Sequence, residues 1–265
     1  MIRDITIGQY YSCESVIHRL DARLKIMAAL FFIVELFIVN DFVGFAVCAV
    51  CLALVVKVSK VPFSFIMRGM KPILLILIFT FCLNIFMVKG EVLFRIGFLK
   101  ITDAGLYTAA FMAIRLVMLI IGTSLLTFTT KPINLTDGIE SLLNPFRHIG
   151  VPTHELAMMM SIALRFIPTL LEETDKIIKA QQARGADFET GNIIRRAKAL
   201  VPILVPLFVS AFRIAQDLAM AMEARCYKGG KGRTRMHQMK LCRIDYIAIV
   251  LLVLFFAAVI LMRVF

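Results

Sequence analysis

The sequence lacks the residue patterns that phosphate-binding and catalytic sites need. No G-x-x-x-x-G-K-[ST] motif occurs. The glycine-rich segment 229–234 lacks both the earlier glycine and the Ser or Thr after Lys that cradle phosphate and Mg²⁺. No Ser-His-Asp arrangement and no pair of catalytic carboxylates stands out. We therefore expect a chain that is not an enzyme and that carries no cofactor.

The sequence also lacks the residue patterns that are typical of metal sites, disulfide frameworks and nucleic-acid-binding sites. The four histidines share no ligand spacing, so no metal site is expected. Three of the six cysteines lie in apolar runs, and the Cys48-x-x-Cys51 pair faces no second Cys or His pair, which favours packing. No basic patch is interleaved with stacking aromatics, so we expect no nucleic-acid partner.

Apolar residues are what the sequence has in abundance. They make up 60% of the 265 residues, and the mean hydropathy is +0.86, far beyond a soluble domain. Five runs approach the roughly 20 residues that a spanning helix needs: 24–39, 42–58, 72–88, 104–128 and 244–262. The sequence predicts an all-α integral membrane protein with about five transmembrane helices.

The distribution of Lys and Arg predicts the orientation. Basic residues concentrate before the first run, after the second run and in the segment 131–240, and such loops stay in the cytoplasm. The N-terminus is then cytoplasmic and the C-terminus external. The net charge of +12 comes from these loops, which attract anionic membrane lipid. No cleavable signal peptide is expected.

Three regions follow from this reading. Residues 1–130 hold the N-terminal cytoplasmic segment and four transmembrane helices, residues 131–240 form a cytoplasmic helical domain, and residues 241–265 hold the last transmembrane helix. The middle region predicts a short helix over 133–143, stopped by Asn144-Pro145. Two long helices follow, one from an N-cap at Thr153 to Gly185 and one from near Ala197 to before Gly229.

Each long helix ends in a short arginine motif. Ala183-Arg184-Gly185 ends the first, and Ala224-Arg225-Cys226 ends the second. Arginine presents a planar fork of donors that suits a carboxylate-lined groove on a soluble partner. The alternative is that each cation only complements the dipole at its helix end. Duplication of the motif favours two docking tips.

Both long helices carry apolar stripes that are richer than a solvated connector needs. Met158, Met159 and Met160 form one stripe, and Phe208, Ala211 and Phe212 belong to the other. Flexible methionine suits a surface that accepts several partners. The stripes could instead be covered by lipid or pack the two helices together, and partner binding and packing can both hold on different faces.

A few polar residues lie inside the apolar runs or at their ends. Glu35, Asn84 and Arg115 are in the runs, where ionisable groups are costly. We expect Glu35 to pair with Arg115 inside the bundle rather than to line an ion path. At the cytoplasmic surface, we expect His18, Asp21 and Arg23 to cap and anchor the first span.

Several segments resemble a known family nearly end to end, the transmembrane T component of energy-coupling factor vitamin transporters. They are Gly8-x-Tyr10, Ser15-x-x-His18-Arg19-Leu20-Asp21-x-Arg23-x-Lys25, Ala163-Leu164-Arg165-Phe166-Ile167-Pro168, Gln182-Ala183-Arg184-Gly185-Ala186-Asp187 and Met222-Glu223-Ala224-Arg225-Cys226-Tyr227-x-Gly229-Gly230-x-Gly232-Arg233-Thr234. Two departures are Ala22, where the family often has Pro, and Cys226, where Gly is usual.

The resemblance implies a non-catalytic scaffold of an ATP-driven vitamin importer. It implies that Arg184 and Arg225 dock in grooves of two ABC-type ATPase subunits, which makes the middle region a coupling domain. The long helices would cradle a small membrane protein that binds the substrate, the S component.

Two other classes of protein are alternatives, a self-sufficient secondary transporter and a membrane enzyme. The first would show broken helices in two matched halves and the second convergent acids or histidines at bilayer depth, and neither pattern is present.

Overall fold

The computed structural model describes residues 10–88, 92–96, 99–150, 152–186, 188, 193–229 and 241–264. Almost all of the described elements are helices, which confirms the all-α class. They are α1 (Val16–Arg19), α2 (Ala22–Ile38), α3 (Phe42–Ser59), α4 (Phe63–Met87), β1 (Val92–Ile96), β2 (Leu99–Thr102), α5 (Asp103–Thr129), α6 (Pro132–Leu143), a 3₁₀ helix (Asn144–Ile149), α7 (Thr153–Ala183), α8 (Ile193–Ala224) and α9 (Arg243–Val264).

The chain divides into two compact units. The first consists of Met1–Leu142 and His237–Phe265, and we call it the bundle unit. The second is Leu143–Met236, which contains α7 and α8, and we call it the paired-helix unit. The two units are defined by how tightly their residues pack. They do not test the predicted functional regions with boundaries at 130 and 240, which stay a prediction.

A small apolar core holds the bundle unit together. It joins α2, α3, α5 and α9 through the buried residues Leu36, Val39, Phe45, Cys48, Leu52, Phe111, Met118 and Val259. Outside this core, large apolar side chains face outward, as Leu75 of α4 and Leu251 of α9 do with exposures of 74% and 62%. Apolar outer surfaces of this kind are what a lipid solvent requires, since lipid tails are as apolar as leucine.

Five described helices are long and apolar enough to cross a membrane: Phe42–Ser59, Asp103–Thr129, Thr153–Ala183, Lys198–Ala224 and Arg243–Met262. Three coincide with predicted spans, whereas α7 and α8 are the helices that the sequence analysis assigned to the cytoplasmic domain. The predicted span 24–39 corresponds to α2, which has 17 residues and is therefore about 25 Å long. Predicted span 72–88 is the second arm of α4.

Helix α4 is bent by 65° between Lys71 and Ile73. Proline removes a backbone donor and its ring clashes with the preceding turn, so Pro72 accounts for the bend. With the bend counted as one broken span, the described helices give up to six candidate spans. The arm after the bend packs along α5, where Gly105 lets the two backbones approach closely. A Cβ on Gly105 would lie 2.8 Å from the Ile85 carbonyl oxygen.

A β-hairpin between α4 and α5 is the one architectural addition that the sequence analysis did not predict. Strands β1 and β2 pair antiparallel, with Arg95 opposite Lys100. Thr102 ends the hairpin and begins α5. Its hydroxyl accepts a hydrogen bond from the Gly105 N–H at 3.1 Å and donates one to the Val88 carbonyl at 2.7 Å. The hairpin therefore continues directly into a capped helix.

Helix α6 ends at Leu143, directly before Asn144-Pro145, as predicted. The 3₁₀ helix Asn144–Ile149, which was not predicted, begins the paired-helix unit. Helix α7 begins at Thr153, with Pro152 in the N-cap position and no side-chain cap, so the predicted N-cap role of Thr153 is wrong. Helix α8 begins at Ile193, earlier than predicted. Both helices contain internal prolines, namely Pro168 in α7 and Pro202 and Pro206 in α8.

Candidate functional site

The first arginine motif is built by a Schellman turn at the end of α7. Arg184 is the C-cap residue, and Gly185 follows with a left-handed φ of 85°. The Gly185 N–H donates to the Gln182 carbonyl at 2.9 Å, and the Ala186 N–H donates to the Gln181 carbonyl at 3.0 Å. These bonds satisfy carbonyls that the helix end would leave open. Because the backbone groups of the turn bond one another, the Arg184 side chain is left exposed to solvent.

The second motif repeats the same turn at the end of α8. Arg225 is in the C-cap position, and its N–H donates to the Ala221 carbonyl at 3.3 Å. The Cys226 N–H donates to the Glu223 carbonyl at 2.8 Å, and the Tyr227 N–H donates to the Met222 carbonyl at 3.1 Å. Arg225 is exposed. The two motifs are therefore alike in backbone hydrogen bonding as well as in sequence.

Cys226 occupies the left-handed position that Gly185 occupies in the first turn. Its φ is 55°, and Cys226 and Lys60 are the non-glycine residues with positive φ in the described part of the chain. A Cβ in this conformation crowds the next carbonyl and costs about 1 to 2 kcal/mol. The turn forms nonetheless, so the departure from glycine adds local strain without changing the fold of the second motif.

The two motifs lie far apart along the unit. The Gln181 side-chain amide donates to the Pro202 carbonyl at 3.3 Å, so the end of α7 contacts α8 near its beginning. Arg225 lies at the other end of α8, at most about 35 Å further along at 1.5 Å per residue. The structure therefore presents Arg184 beside the first third of α8 and Arg225 just after its last residue, and it does not bring them together in one site.

The predicted partner surface is largely exposed. We define it by Met158, Met159, Met160, Phe208, Ala211 and Phe212. Met159 and Met160 are 57% and 44% exposed, and Phe208 and Phe212 are 61% and 68% exposed. Met158 and Ala211 are half-buried. Among the described side chains of α8, Ile203 alone is buried, so packing between α7 and α8 does not cover this surface.

A polar cluster at the start of α2 ties the N-terminal segment to the bundle unit. The Ser15 hydroxyl accepts from the His18 N–H and lies 2.7 Å from His18 Nδ1, whose ring also contacts the Tyr11 carbonyl through Nε2. Burial lowers the pKa of His18 below its usual value, with the Tyr11 carbonyl opposing the shift. The ring is therefore neutral at pH 7.

Asp21 caps α2, as the sequence analysis expected, and Arg23 lies beside it; anchoring at the cytoplasmic surface stays a prediction. The Asp21 carboxylate accepts a hydrogen bond from the Arg23 N–H at 3.0 Å, which caps α2. The Arg23 guanidinium lies 3.8 Å from the same carboxylate oxygen. Ala22, the departure from the usual proline, is the first residue of α2. A Cβ added to Gly138 of α6 would lie 3.2 Å from the Ala22 Cβ, so the glycine at position 138 permits this close contact.

Two buried residues of this cluster were missed by the sequence analysis. Asp245 is 2% exposed, and its carboxylate accepts from the Asp21 N–H at 2.9 Å and from the Cys242 N–H at 2.7 Å. Lys25 is 8% exposed and donates to the His18 and Thr129 carbonyls. An acidic residue in the third position of α9 is a capping signal that could have identified Asp245.

The predicted Glu35–Arg115 pair is wrong. The Arg115 guanidinium donates to the Val39 carbonyl at 3.0 Å and to the Asn40 side chain at 3.1 Å, and no ion pair with Glu35 occurs between these described residues. Arg115 also lies 5.6 Å from the ring centres of Phe37 and Phe45. A carbonyl at the end of α2, the Asn40 side chain and two aromatic faces are therefore the partners of the arginine, while its buried Nε has no hydrogen-bond partner among the described residues. Asn84 donates to Thr80 within α4.

No group of three or more His, Cys, Asp or Glu side chains is arranged to hold a metal ion within the described ranges. The Cys48 thiol is buried in the apolar core, as packing predicts. What the described residues offer is therefore two exposed arginine tips and one exposed apolar surface.

Comparison with known sequences identifies the family. Residues 13–237 match the CbiQ family, described as "Cobalt transport protein". Relatives named "Energy-coupling factor transporter transmembrane protein EcfT" occur in Clostridium kluyveri (62% identity, covering 94% of this chain and 93% of the relative), Thermosediminibacter oceani (60%, 94% and 94%) and Bacillus subtilis (51%, 90% and 91%). The chain therefore belongs to the bacterial family of energy-coupling factor transporter transmembrane proteins.

The strain at Cys226 gives a testable expectation. Cys226→Gly should raise the stability of the purified protein by about 1 kcal/mol, because glycine adopts the left-handed conformation without the Cβ clash. Gly185→Ala, at the matched position of the first turn, should lower stability by a similar amount. Thermal unfolding in one detergent measures both variants. A melting temperature that falls for Cys226→Gly would contradict the strain argument.

Proposed function

We propose that this chain is the non-catalytic membrane subunit of an ATP-driven importer that takes up vitamins or related micronutrients. In this proposal it connects two ABC-type ATPase subunits to a small membrane protein that binds the substrate, and it hydrolyses nothing itself. The names of its relatives describe a transmembrane protein of an energy-coupling factor transporter, which is the coarser form of the same statement. The observation that carries the proposal is the pair of exposed arginines on matching helix-end turns.

The separation of the tips favours two partner subunits over one groove. The contact between Gln181 and Pro202 fixes the end of α7 near the beginning of α8, and Arg225 is at the far end of α8. One groove cannot take two tips that are tens of ångströms apart. Two equivalent grooves, one on each ATPase subunit, match two equivalent turns. A carboxylate in each groove would complement the planar donor fork of arginine.

The apolar surface supports a partner within the membrane. Phe208 and Phe212 stand on the same side of α8, one helical turn apart, and Met159 and Met160 offer adaptable thioethers on α7. Large exposed aromatic side chains of this kind typically mark an interaction surface. A substrate-binding membrane protein, bound through such contacts, would be released by changes that leave the arginine tips intact.

The long helices would transmit the ATPase cycle. Helices of 31 and 32 residues are each about 45 to 50 Å long. When ATP binding draws the two ATPase subunits together, the tips would move relative to each other, and the helices would carry that displacement to the apolar surface. In this scheme the ATPases supply the free energy and this chain supplies the connection.

We expect substitution of both arginines to uncouple transport. Arg184→Ala and Arg225→Ala each remove a charge-assisted contact worth about 2 to 5 kcal/mol if the guanidinium is buried against a partner carboxylate. Co-purification of the ATPases and ATP-driven substrate uptake should both fall, with membrane insertion unchanged. Arg213→Ala, an exposed arginine of α8 away from the tips, is the control. Normal uptake by the double variant, or uptake by the chain alone in liposomes, would reject the proposal.

Charged residues in the apolar surface should separate the two kinds of partner. Met159→Glu and Phe208→Lys should release the substrate-binding membrane protein while the ATPases stay bound, because the arginine tips are unchanged. Met220→Glu is a matched control, since Met220 is 60% exposed on α8 outside the defined surface. Pull-down of each partner from one detergent extract gives the result. Loss of both partners in parallel would instead indicate that the stripes only pack the unit.

The proposed orientation places the N-terminus and both tips in the cytoplasm, as the distribution of Lys and Arg indicates. In a variant whose only cysteine is the native Cys226, which is exposed, an impermeant thiol reagent should react only after the cells are permeabilised. In a variant whose only cysteine is Asp41→Cys, in the exposed turn between α2 and α3, it should react with intact cells. The reverse labelling pattern would overturn the orientation.

A further inference from the structure

Two adjoining cavities in the bundle unit have no role in the proposed coupling. One is an apolar groove of about 400 Å³ between α2, α3, α5 and α9, which we call the apolar groove. The other is a cavity of about 280 Å³ between the N-terminal segment, the start of α2 and the end of α5, which we call the polar cavity. Both are lined by Leu20, Lys25 and Thr129, so one opens directly beside the other.

The polar cavity is suited to an anion. Arg19, Lys25 and Lys131 line it, and Glu14, which pairs with Arg19 at 3.2 Å, is the carboxylate among its lining residues. Lys25 uses two of its three N–H donors on the His18 and Thr129 carbonyls, and the ammonium remains a buried positive charge. Because the His18 ring is neutral, it adds no charge of its own.

Thr130 gives a second, independent indication of a ligand. The residue is 5% exposed and lines the polar cavity, and its Oγ1 has no hydrogen-bond partner among the described residues. A buried hydroxyl without a partner costs free energy, and natural structures usually satisfy such groups. An oxygen atom of a bound anion would accept the hydrogen bond that Thr130 can donate.

The apolar groove has the dimensions of one lipid chain in one leaflet. It follows α2 from Leu24 to Glu35, a length of about 16 Å at 1.5 Å per residue. Half of a bilayer core is about 15 Å thick. Among its lining residues, Leu54 and Leu251 are 58% and 62% exposed, so the groove is open sideways to surrounding lipid. The buried Glu35 carboxyl, whose Oε1 has no partner among the described residues, lies at its far end.

We propose that these two cavities together hold one anionic phospholipid. The phosphate occupies the polar cavity, contacts Lys131 and accepts a hydrogen bond from Thr130, and one acyl chain lies in the apolar groove. The bound lipid fills the space between α2, α3, α5 and α9 beside the small apolar core. Its phosphate complements Lys131, because Arg19 already pairs with Glu14 and Lys25 interacts with the Asp21 and Asp245 carboxylates. The ligand is a component of the bilayer rather than a transported substrate.

The absence of tryptophan from the chain makes the proposal easy to test. Phe256→Trp places a single indole in the apolar groove, and Phe79→Trp places one on the outer face of α4, where Phe79 is 60% exposed. The full chain is reconstituted in phosphatidylcholine vesicles that contain a small fraction of phosphatidylglycerol with brominated acyl chains. Quenching should be several-fold stronger for Phe256→Trp than for Phe79→Trp, and brominated phosphatidylcholine should remove the difference.

Changes in the polar cavity should abolish this selectivity. In the Phe256→Trp background, Lys131→Ala together with Thr130→Val should weaken the apparent affinity for phosphatidylglycerol about fivefold or more, since a cation near the surface contributes roughly that factor. Lys57→Ala, an exposed cation of α3 that lines neither cavity, should leave it unchanged. Circular dichroism and elution volume establish that each variant is folded.

Filling the groove provides the complementary test. Ala28→Phe should reduce quenching at Phe256→Trp, whereas Ala53→Phe, on the exposed side of α3, should not. Inorganic phosphate should not displace the lipid at millimolar concentration, because it lacks the acyl chain. Equal quenching at both indoles, no effect of the polar-cavity changes, or competition by phosphate alone would each overturn the proposal. Failure of the lipid test leaves the arginine docking proposal unaffected, since that one is measured by ATPase binding.

Discussion

The bundle unit depends on one constraint, which is that charged groups buried among apolar helices must find partners within the protein. Lys25 and Asp245 meet it at the start of α2. Lys25 donates to a carbonyl at the end of α5, and Asp245 accepts from the backbone just before α2 while capping α9. Helices in lipid gain little from apolar contact alone, so these few polar bonds fix which helix ends meet. Loss of either side chain would leave buried donors or acceptors without partners.

The same rule governs the helix ends of the paired-helix unit. A helix leaves its last carbonyls open, and both α7 and α8 close them with a left-handed residue and two turn bonds. Because N–H groups of the turn already bond these carbonyls, the arginine side chain is not required to bond them, and it extends into solvent. Arg184 and Arg225 are thereby free to bind elsewhere. Position within a turn, rather than charge alone, distinguishes them from the arginines inside α7 and α8.

Much of this arrangement could be predicted from residues that act locally. Asn144-Pro145 marked the end of α6, Gly185 marked the end of α7 and Gly229 marked the limit of α8, because caps and turns depend on neighbouring residues. The hairpin between α4 and α5 was not predicted, although the two residues between its strands, Gly97-Phe98, are a recognised hairpin signal, because the sequence analysis treated the segment only as a loop between spans. The Glu35–Arg115 pair failed for a different reason. Arg115 has a carbonyl and two aromatic rings within reach, and those partners depend on packing between helices that sequence spacing does not reveal.

The internal prolines of α7 and α8 divide each helix into segments of unequal stiffness. From Pro168 to Ala183 and from Pro206 to Ala224 the hydrogen-bonded ladder contains no further proline, which gives two uninterrupted arms of about 23 and 27 Å. At each proline one backbone bond is missing, and bending there is easier than elsewhere. Each arginine thus follows a stiff helical segment that is preceded by a proline at which the helix bends more easily. A small rotation of a bound partner would bend the helix at that proline, whereas a displacement along the segment would pass undiminished to the remainder of the helix.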